Sequence, residues 1–465
     1  MKNLLDKENE ICEQASAKTA NSQQVIELPE SDCKSVFVNF NGGNLSSDAG
    51  VLIIKEVDRQ IGLIENMAKA IPDDRDQRYI AHAYLELLRQ RVAQITCGYE
   101  DGNDCDYLRT DPSFKIFAER NPESDPALGS QPTMSRFENA ISRKSLYRLA
   151  HVFVDSFVDS YEKEPKIIVL DFDDTADKTY GAQQITLFNG YIKDWCYMPL
   201  HVYEGLSGKL ITTMLKSGKR STAKQILSVL KRLVRRFREV WPHTIIIFRG
   251  DSHFASPEIM RWIDEQNNVM FVTGLTGYEP LQKEVAPLIE RAKKIYQHKQ
   301  DKVTLFHSFH YKAGTWPRYY RVIAKVEFSK KGANLRFVLT DMENAKAKAL
   351  YQNIYCARGA AELNIKEHKL YLKSDRTSCH RFEANQFRLF LHSAAYVLLH
   401  AFRANILKHT KWAKASMETL QLRFLKIGAV VRELKTRILV DLPSSYPLKQ
   451  EVMQSFQIFQ LLTKI

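Results

Sequence analysis

Residues 166–174 read KIIVLDFDD, an apolar run that ends in acids. A short run of branched and aromatic side chains predicts a buried β-strand. Because side chains alternate across a strand, Asp171 and Asp173 share one face, while Leu170 and Phe172 lie on the other. Like charges this close repel one another unless a cation neutralises them, so these acids are candidates to hold a divalent metal ion. A solvated acidic turn is the alternative interpretation.

The segments that follow this strand predict an α/β fold. Further strands are predicted at QITLFNGY, residues 184–191, and at MPLHVYEG, residues 198–205. Next come a helix from Ser221 to Val240, the strand TIIIFRGD (244–251), a helix to about Gln266 and the strand VMFVTGL (269–275). Three strands, helix, strand, helix, strand is the order of a ribonuclease H-like core, a mixed sheet flanked by helices. We therefore predict such a catalytic core.

Composition and periodicity divide the whole chain into parts around this core. The first thirty residues are polar and lack periodicity, which is typical of a mobile arm. The predicted parts are the arm (1–30), a mainly helical DNA-binding region (31–160), the first part of the core (161–276), a β-rich insertion (277–353), a core helix with the helix after it (354–410), and a C-terminal helical, basic region (411–465).

The charge balance indicates a polyanionic partner. The chain has a formal net charge of +13 and an isoelectric point near 9.2, which fits nucleic acid or an anionic membrane surface. It lacks an uncharged apolar stretch of about 18 residues, and its N-terminal MKNLLDKENE is unlike a signal peptide. We therefore expect a soluble cytoplasmic protein that binds DNA and no membrane. The seven cysteines form no CxxC pair, which argues against a zinc site.

Asp251 is the second candidate metal ligand. It ends the apolar strand TIIIFRGD, at the carboxyl end of the strand, where open α/β sheets bind their ligands. Gly250 would let the backbone pass close to a bound group, and Arg249 could contact a phosphate. An aspartate that only begins the next turn is the alternative.

A predicted helix supplies the third candidate carboxylate. At about 100° per residue, one stripe of this helix carries Tyr355, Arg358, Glu362, Lys366 and Lys369. A stripe of this composition has no reason to face an apolar core, but it could face a charged ligand. Glu362 could bind metal while its cationic neighbours hold phosphates. The alternative is a solvated helix face on which Arg358 and Lys366 pair with Glu362.

A basic segment without any acid extends from Lys209 to Arg238. Its central part, KSGKRSTAK, predicts a loop and helix start that present Lys219, Arg220 and Lys224 to phosphates. A solvated basic helix face is the alternative, but acids normally accompany the cations on such a face.

The spacing Tyr355-(2)-Arg358-(3)-Glu362-(6)-Lys369 resembles the signature around the catalytic glutamate of transposases of the IS-four-like superfamily. The stretch from Phe37 to Pro447 resembles DDE transposases of the insertion-sequence IS-thirteen-eighty family. Matching segments include VLDFDDTADKTYGAQQ, FRGDSHF, YCARGAAELNIKEHKL and ANQFRLFLHSAAYVLL.

This resemblance implies roles for the candidate residues. Asp173 would be the first catalytic carboxylate, since the family often has Asp-x-Thr there, with Asp171 as its rival. Asp251 would be the second and Glu362 the third, and together they would hold two Mg²⁺ ions, with Mn²⁺ able to substitute. The DNA-binding residues would be Tyr355, Arg358, Lys366, Lys369, Lys219, Arg220, Lys224 and Arg249. The family usually has Asn directly after the glutamate, where this chain has Leu363.

The implied activity is cut-and-paste transposition of an insertion sequence. Such an enzyme cleaves double-stranded DNA at terminal inverted repeats and transfers the strands into target DNA, and we expect a homodimer because two ends must be joined. One alternative is a ribonuclease H-like nuclease without strand transfer. Another is a transposase-derived DNA-binding protein that no longer catalyses.

Overall fold

The computed structural model describes residues 25–31 and 34–462. Most of the predicted mobile arm, residues 1–24, lies outside this part of the chain. The end of the predicted arm is corrected, because Ile26–Ser31 forms strand β1, which pairs antiparallel with β2 (Lys34–Val38). Apolar residues face each other across this ribbon, as in the pair Ile26 and Val38.

The region after this ribbon is mainly helical. It contains the short strand β3 (Leu45–Ser46) and the helices α1 (Val51–Ile61), α2 (Leu63–Ala70), α3 (Tyr84–Thr96), α4 (Asp104–Leu108), α5 (Pro112–Phe117), α6 (Gln131–Asn139) and α7 (Arg143–Asp159). Apolar periodicity in the sequence predicts a helix from Arg75 to Thr96, but the helix begins only at Tyr84. Apolar residues of these helices share one core with the helix Phe382–Ala401, far along the chain.

Within residues 34–462, eight strands form the central sheet. In chain order the strands from here are β4 (Ile167–Asp174), β5 (Asp177–Lys178), β6 (Leu187–Asn189), β7 (Asp194–Tyr197), β8 (Leu200–Glu204), β9 (Leu210–Met214), β10 (Ile245–Gly250), β11 (Val269–Leu275), β12 (Val303–Tyr311), β13 (Tyr320–Ser329) and β14 (Gly332–Thr340). The order across the sheet is β12-β13-β14-β11-β10-β4-β8-β9, with β4, β10 and β11 parallel and the other pairs antiparallel. The run β9-β8-β4-β10-β11 has the strand order of a ribonuclease H-like core, which confirms the predicted fold class.

One predicted core strand is wrong. QITLFNGY contributes only β6, which belongs to a separate small sheet of order β5-β7-β6. The third core strand is instead β9, Leu210–Met214. Its apolar alternation is short and flanked by Lys209 and Lys216, so the sequence grouped it with the basic segment.

Helices cover both faces of the sheet. One face carries Leu170 and Phe172, which pack with α8 (Ala223–Val240), α9 (Pro257–Asp264) and α11 (Ala286–Lys299), the last preceded by the short α10 (Glu279–Glu284). The other face carries Val169, Ile247 and Val272, which pack against Leu350 and Tyr351. A helical run covers that face and consists of α12 (Ala347–Ala349), π-helical turns (Leu350–Tyr355 and Glu367–Tyr371), a 3₁₀ turn (Cys356–Arg358) and α13 (Gly359–Lys366).

The β-rich residues 277–353 extend the central sheet. Strands β12, β13 and β14 continue it antiparallel beyond β11. The C-terminal part contains α14 (Phe382–Ala401), α15 (Met417–Leu420), β15 (Ala429–Leu434), β16 (Arg437–Asp441) and α16 (Lys449–Leu462). The prediction of a helical region for 411–465 is corrected by the β15–β16 hairpin, which pairs with β3. Among the described helices, none is long and apolar enough to cross a membrane.

Candidate active site

The register of β4 against β10 brings two predicted carboxylates together. The strands are parallel, and Asp171 lies directly beside Arg249. Asp173 lies two residues further along β4, Asp251 directly follows the end of β10, and the charge of Asp251 acts on Asp173. Neighbouring strands lie about 4.8 Å apart, and a two-residue step returns to the same face. Asp173 and Asp251 therefore meet at one edge of the sheet, on one face.

Asp171 and Arg249 form a buried ion pair one layer below. Each side chain is 1% exposed, and Arg249 Nη2 donates to Asp171 Oδ2 at 2.6 Å, while Nε donates to Oδ1 at 2.5 Å. Arg249 Nη1 donates to the carbonyl of Ile354 at 2.5 Å. Burial raises the pKa of Asp171, and Arg249 opposes that rise. Arg249 and Asp171 bind each other in this structure, and the phosphate contact of Arg249 and the rival assignment of Asp171 as first metal ligand stay predictions.

A glycine makes room for this ion pair. A Cβ atom at Gly205, just after β8, would lie 2.4 Å from Arg249 Nη2 and 2.6 Å from Asp171 Oδ2. A Cβ atom does not approach another heavy atom this closely, so any larger residue there must displace the pair.

The helical run over this face supplies Glu362 and a bridging cation. Arg358 Nη1 lies 3.4 Å from Asp173 Oδ2, and its Nη2 lies 2.5 Å from Glu362 Oε1. Asp251 Oδ2 lies 3.4 Å from Arg220 Nη1 on the facing loop. The side chains of Asp173 and Glu362 are 17% and 59% exposed, so the cluster opens to solvent.

The three carboxylates influence one another electrostatically. The pKa of Asp173 is raised to about 7, first by burial, while Arg358 lowers it and the charges of Asp251 and Glu362 raise it further. Burial and the two neighbouring carboxylates together outweigh the positive charge of Arg358 at Asp173.

The cluster's donors fit a divalent cation, but its spacing is open. Among residues 25–31 and 34–462, no group of three or more His, Cys, Asp or Glu side chains is close enough to hold one metal ion. The guanidinium of Arg358 lies between Asp173 and Glu362. Carboxylate oxygens are the ligands that Mg²⁺ prefers. Joint ligation would require Glu362 to leave Arg358, and its exposure permits that movement.

The basic loop is attached to the end of β4 by Asp174, the last residue of that strand. Asp174 accepts hydrogen bonds from Ser221 N at 2.8 Å and Ser221 Oγ at 2.7 Å, and Lys216 Nζ lies 3.1 Å from it. His253 Nε2 lies 2.7 Å from the carbonyl oxygen of Ser221. This anchoring presents exposed side chains next to the carboxylates, namely Lys219, Arg220 and Lys224.

The remaining residues of the predicted stripe take different places. Tyr355 is half-buried, and its hydroxyl lies so close to Gly274 that a Cβ there would be 2.7 Å away. Lys366 is exposed. Lys369 Nζ lies 3.2 Å from buried Asp177 and donates to the carbonyl of Ala176. Burial raises the pKa of Asp177 to about 7, and the charge of Lys369 opposes that rise. Lys369 therefore pairs with the segment that follows β4.

Buried histidines support the helical run, and no motif in the sequence indicated them. His368 Nδ1 lies 3.1 Å from the hydroxyl of Tyr203 on β8, and His201 packs edge-on against His368. Burial lowers the pKa of His201 to about 3 and that of His368 well below its usual value. These rings are therefore neutral at physiological pH, and they fix the helical run to β8 without adding charge.

Comparison with protein-family models gives a match over nearly the whole chain. The family model described as Transposase DDE domain group 1 matches residues 28–464. A similar solved structure is the cryo-EM structure of the piggyBac transposase synaptic complex with hairpin DNA, at 12% identity, 82% coverage of this chain, 80% coverage of that chain and a TM-score of 0.44. The comparison with curated proteins finds no match. Because the family model spans nearly the whole chain, this protein belongs to the Transposase DDE domain group 1 family and is a DDE transposase.

Proposed function

We propose that this transposase cleaves DNA at the ends of an insertion sequence and transfers the cut strands into target DNA, using Asp173, Asp251 and Glu362. The observation that carries the proposal is their convergence. Asp173 lies near the end of β4 and Asp251 directly follows β10, the charge of Asp251 acts on Asp173, and Arg358 links Asp173 to Glu362. The match of motifs with the IS-thirteen-eighty family supports a cut-and-paste element as the substrate.

The three carboxylates would hold two Mg²⁺ ions, for which Mn²⁺ could substitute. Bound there, the metal ions would lower the pKa of the attacking hydroxyl and stabilise the leaving oxygen. Asp173 and Asp251 come from rigid strands and would fix the position of the site. Glu362 is the most exposed of the three and would complete it.

Cations around the carboxylates would hold the DNA backbone. Arg358 is the central one, because a phosphate oxygen could replace Glu362 as its partner and leave that carboxylate free. Arg220 lies beside Asp251, with Lys219 on the same anchored loop and Lys224 in the first turn of α8, and their attraction to phosphates requires no base sequence. Lys366 and the Tyr355 hydroxyl extend this surface along the helical run.

The rest of the chain would serve end recognition and pairing. The helices of residues 51–159 form the part that we assign to the terminal inverted repeats. A homodimer is expected in the DNA complex because two ends must be brought together. The substrate places the enzyme at the bacterial nucleoid, in the cytoplasm.

The test is cleavage and strand transfer on labelled DNA that carries the element's own ends, with Mg²⁺. Asp173→Asn, Asp251→Asn and Glu362→Gln should each bind the ends but neither cut nor join. Glu290→Gln on α11 is the matched control, because this exposed carboxyl group belongs to a helix on the opposite face of the sheet. It should behave as the wild type.

Each other outcome points elsewhere. If the wild type cuts but never joins, the protein is a nuclease built on the same core. If it binds its ends and does neither, it is a DNA-binding protein without catalysis. Variants that cut as well as the wild type would remove these carboxylates from the proposed site.

A further inference from the structure

A small sheet stands beside the carboxylates and has no part in the proposed chemistry so far. It consists of β5, β6, β7 and their connecting turns, residues 177–197, and we call it the aromatic sheet. It begins directly after β4, the strand that carries Asp173. The ribonuclease H-like strand order does not need it, since β4 could connect to β8 by a short turn.

Large rings stand exposed on this sheet. Phe188 and Trp195 face each other across β6 and β7, with ring centroids 6.2 Å apart, and they are 55% and 52% exposed. Tyr180 and Tyr191 occupy the turns and are 86% and 91% exposed. Single exposed apolar residues are ordinary on a protein surface. A group of aromatic rings on one small sheet is typical of a contact surface.

The inner side of the aromatic sheet is fixed to the protein. Cys196 and Tyr197 are fully buried, and the Tyr197 hydroxyl donates to the carbonyl of Gln184 at 2.6 Å. The backbone N–H of Gln184 donates to the carbonyl of His380 at 2.9 Å. The exposed rings are therefore held on a supported surface and not on a free loop.

The aromatic sheet also contacts the basic loop of the site. Asn189 Nδ2 donates to the carbonyl of Gly218 at 2.8 Å, and Tyr197 pairs with Ser217 through a β-bridge. The next residues of that loop are the exposed Lys219 and Arg220, and Arg220 lies 3.4 Å from Asp251. Rings, cations and carboxylates thus follow one another along a single surface.

We propose that the aromatic sheet stacks on unpaired nucleotides of the DNA strand whose phosphate lies at the carboxylates. This inference rests on the proposed function, because DNA must first lie in the site. A ring beside a cationic loop matches the chemistry of a nucleotide, which offers an anionic phosphate and an apolar base face. Paired bases hide their faces within the helix, so the partner is an unpaired base. A frayed end and a base turned out of the duplex offer the same face.

The first test measures binding without catalysis. The probes are a labelled oligothymidylate of about twelve nucleotides and a labelled duplex of similar length, with the full chain in chelator. Trp195→Ala and Tyr191→Ala should each weaken single-strand binding roughly tenfold and leave duplex binding nearly unchanged. Trp195→Phe keeps a ring and should retain most of the affinity. Tyr319→Ala is the matched control, because Tyr319 is 62% exposed just before β13, outside the proposed site and outside the helices of residues 51–159.

A second readout reports on the ring itself. Trp195 is one of five tryptophans, and Trp241 and Trp316 are buried. Stacking on thymine should quench part of the tryptophan emission of the wild type, and Trp195→Phe should lose that part. A second probe is a duplex of about fifty nucleotides with an unpaired patch near one end. If bases turned out of the duplex are the source, this probe should give the same quenching. If frayed ends are the source, quenching should require a patch at the very end of the duplex.

Unchanged single-strand affinity in both ring variants would overturn the proposal. So would an equal loss on duplex DNA, which would make the rings a general backbone contact. If Trp195→Ala instead changes the oligomeric state by light scattering, the surface binds a second copy of the chain and the proposal fails. None of these results depends on cleavage, so they are separate from the Asp173→Asn test of the proposed function.

Discussion

Two acidic sites lie on the same face of the same two strands, only two residues apart. At the lower site, Asp171 and Arg249 neutralise each other and are almost fully buried. At the upper site, Asp173 and Asp251 have only partial cationic partners and open to solvent. Both sites use charged side chains from the same part of the sheet, and the extent of their burial decides what each site can do. The lower pair joins the strands, and the upper pair remains available for a ligand.

The largest effect should come from breaking the lower pair on one side. Arg249→Leu leaves the Asp171 carboxylate buried without its partner, which should cost about 3–5 kcal/mol of unfolding free energy in urea titrations. Arg358→Leu at the more exposed upper site should cost at most about 1 kcal/mol. The double variant Asp171→Leu/Arg249→Leu should recover most of the loss. If the single Arg249 variant is as stable as the wild type, the pair does not join the strands.

A smaller loss should follow from crowding the lower pair. Gly205→Ala places a Cβ against Arg249 and Asp171, and we expect about 1–3 kcal/mol of destabilisation. Gly102→Ala is the control, since a Cβ there meets no atom within 4 Å. Thermal unfolding of both variants measures the difference. Equal melting temperatures would mean that the ion pair moves aside without strain.

The upper site should respond to pH in the opposite sense from an ordinary salt bridge. The folded-state pKa of Asp173 is about 7, above the ordinary aspartate pKa of 3.8, so protonation of this group stabilises the fold. That stability is fully present below the unfolded pKa and is lost as pH rises through about 7. In chelator at pH 8, Asp173→Asn should therefore be more stable by about 1–2 kcal/mol, with the gain vanishing toward pH 4. A gain in stability that is the same from pH 4 to pH 8 would contradict the raised pKa of Asp173.

Divalent ions should stabilise the upper site and leave the lower site unaffected. Mg²⁺ or Mn²⁺ should raise the melting temperature of the wild type at pH 8, because a ligand that binds only the folded state stabilises it. Asp173→Asn should lose most of this rise, whereas Arg249→Leu should keep it. Equal shifts in the wild type and Asp173→Asn would place the metal elsewhere.

The smallest effect concerns the loop between the two regions. Ser221→Ala removes the hydroxyl that donates a hydrogen bond to Asp174, which should lower the free energy of unfolding by about 1 kcal/mol. The loosened loop should be cut faster by trypsin after Lys219 and Arg220. Ser228→Ala on α8 is the control. If trypsin cuts both variants at the wild-type rate, the anchor does not hold the loop.

The sequence predicted those parts of the fold that local patterns determine. The apolar runs of β4 and β10 placed Asp173 and Asp251 at strand ends, and the element order predicted the core. It could not find the partner of Arg249, because that pairing depends on the register of strands far apart in the chain. The alternation of side chains along β4 put Asp171 and Asp173 on one face of the sheet. It did not show which of the two side chains is buried. The assignment of Asp173, Asp251 and Glu362 to catalysis stays a prediction.

The helical stripe shows a second limit. Counting at about 100° per residue assumes a regular α-helix, but the run contains π-helical turns before and after α13. Each such turn shifts the later side chains around the axis. This is why Arg358 and Glu362 face Asp173, while Lys369 turns to Asp177. Strand β9 was missed in the sequence for a different reason. The strand is short, and Lys209 and Lys216 on either side of it grouped it with the basic segment.

The helices of residues 51–159 share their core with α14, which is made late. During synthesis the N-terminal helices emerge long before their packing partner, and Asp173 emerges long before Glu362. Contacts between such distant segments close slowly and only after the intervening chain is complete. A ribosome-bound chain that has not reached residue 401 therefore lacks a finished N-terminal core. A newly made copy can therefore complete this core, and bring Asp173 and Glu362 together, only after residue 401 has been made.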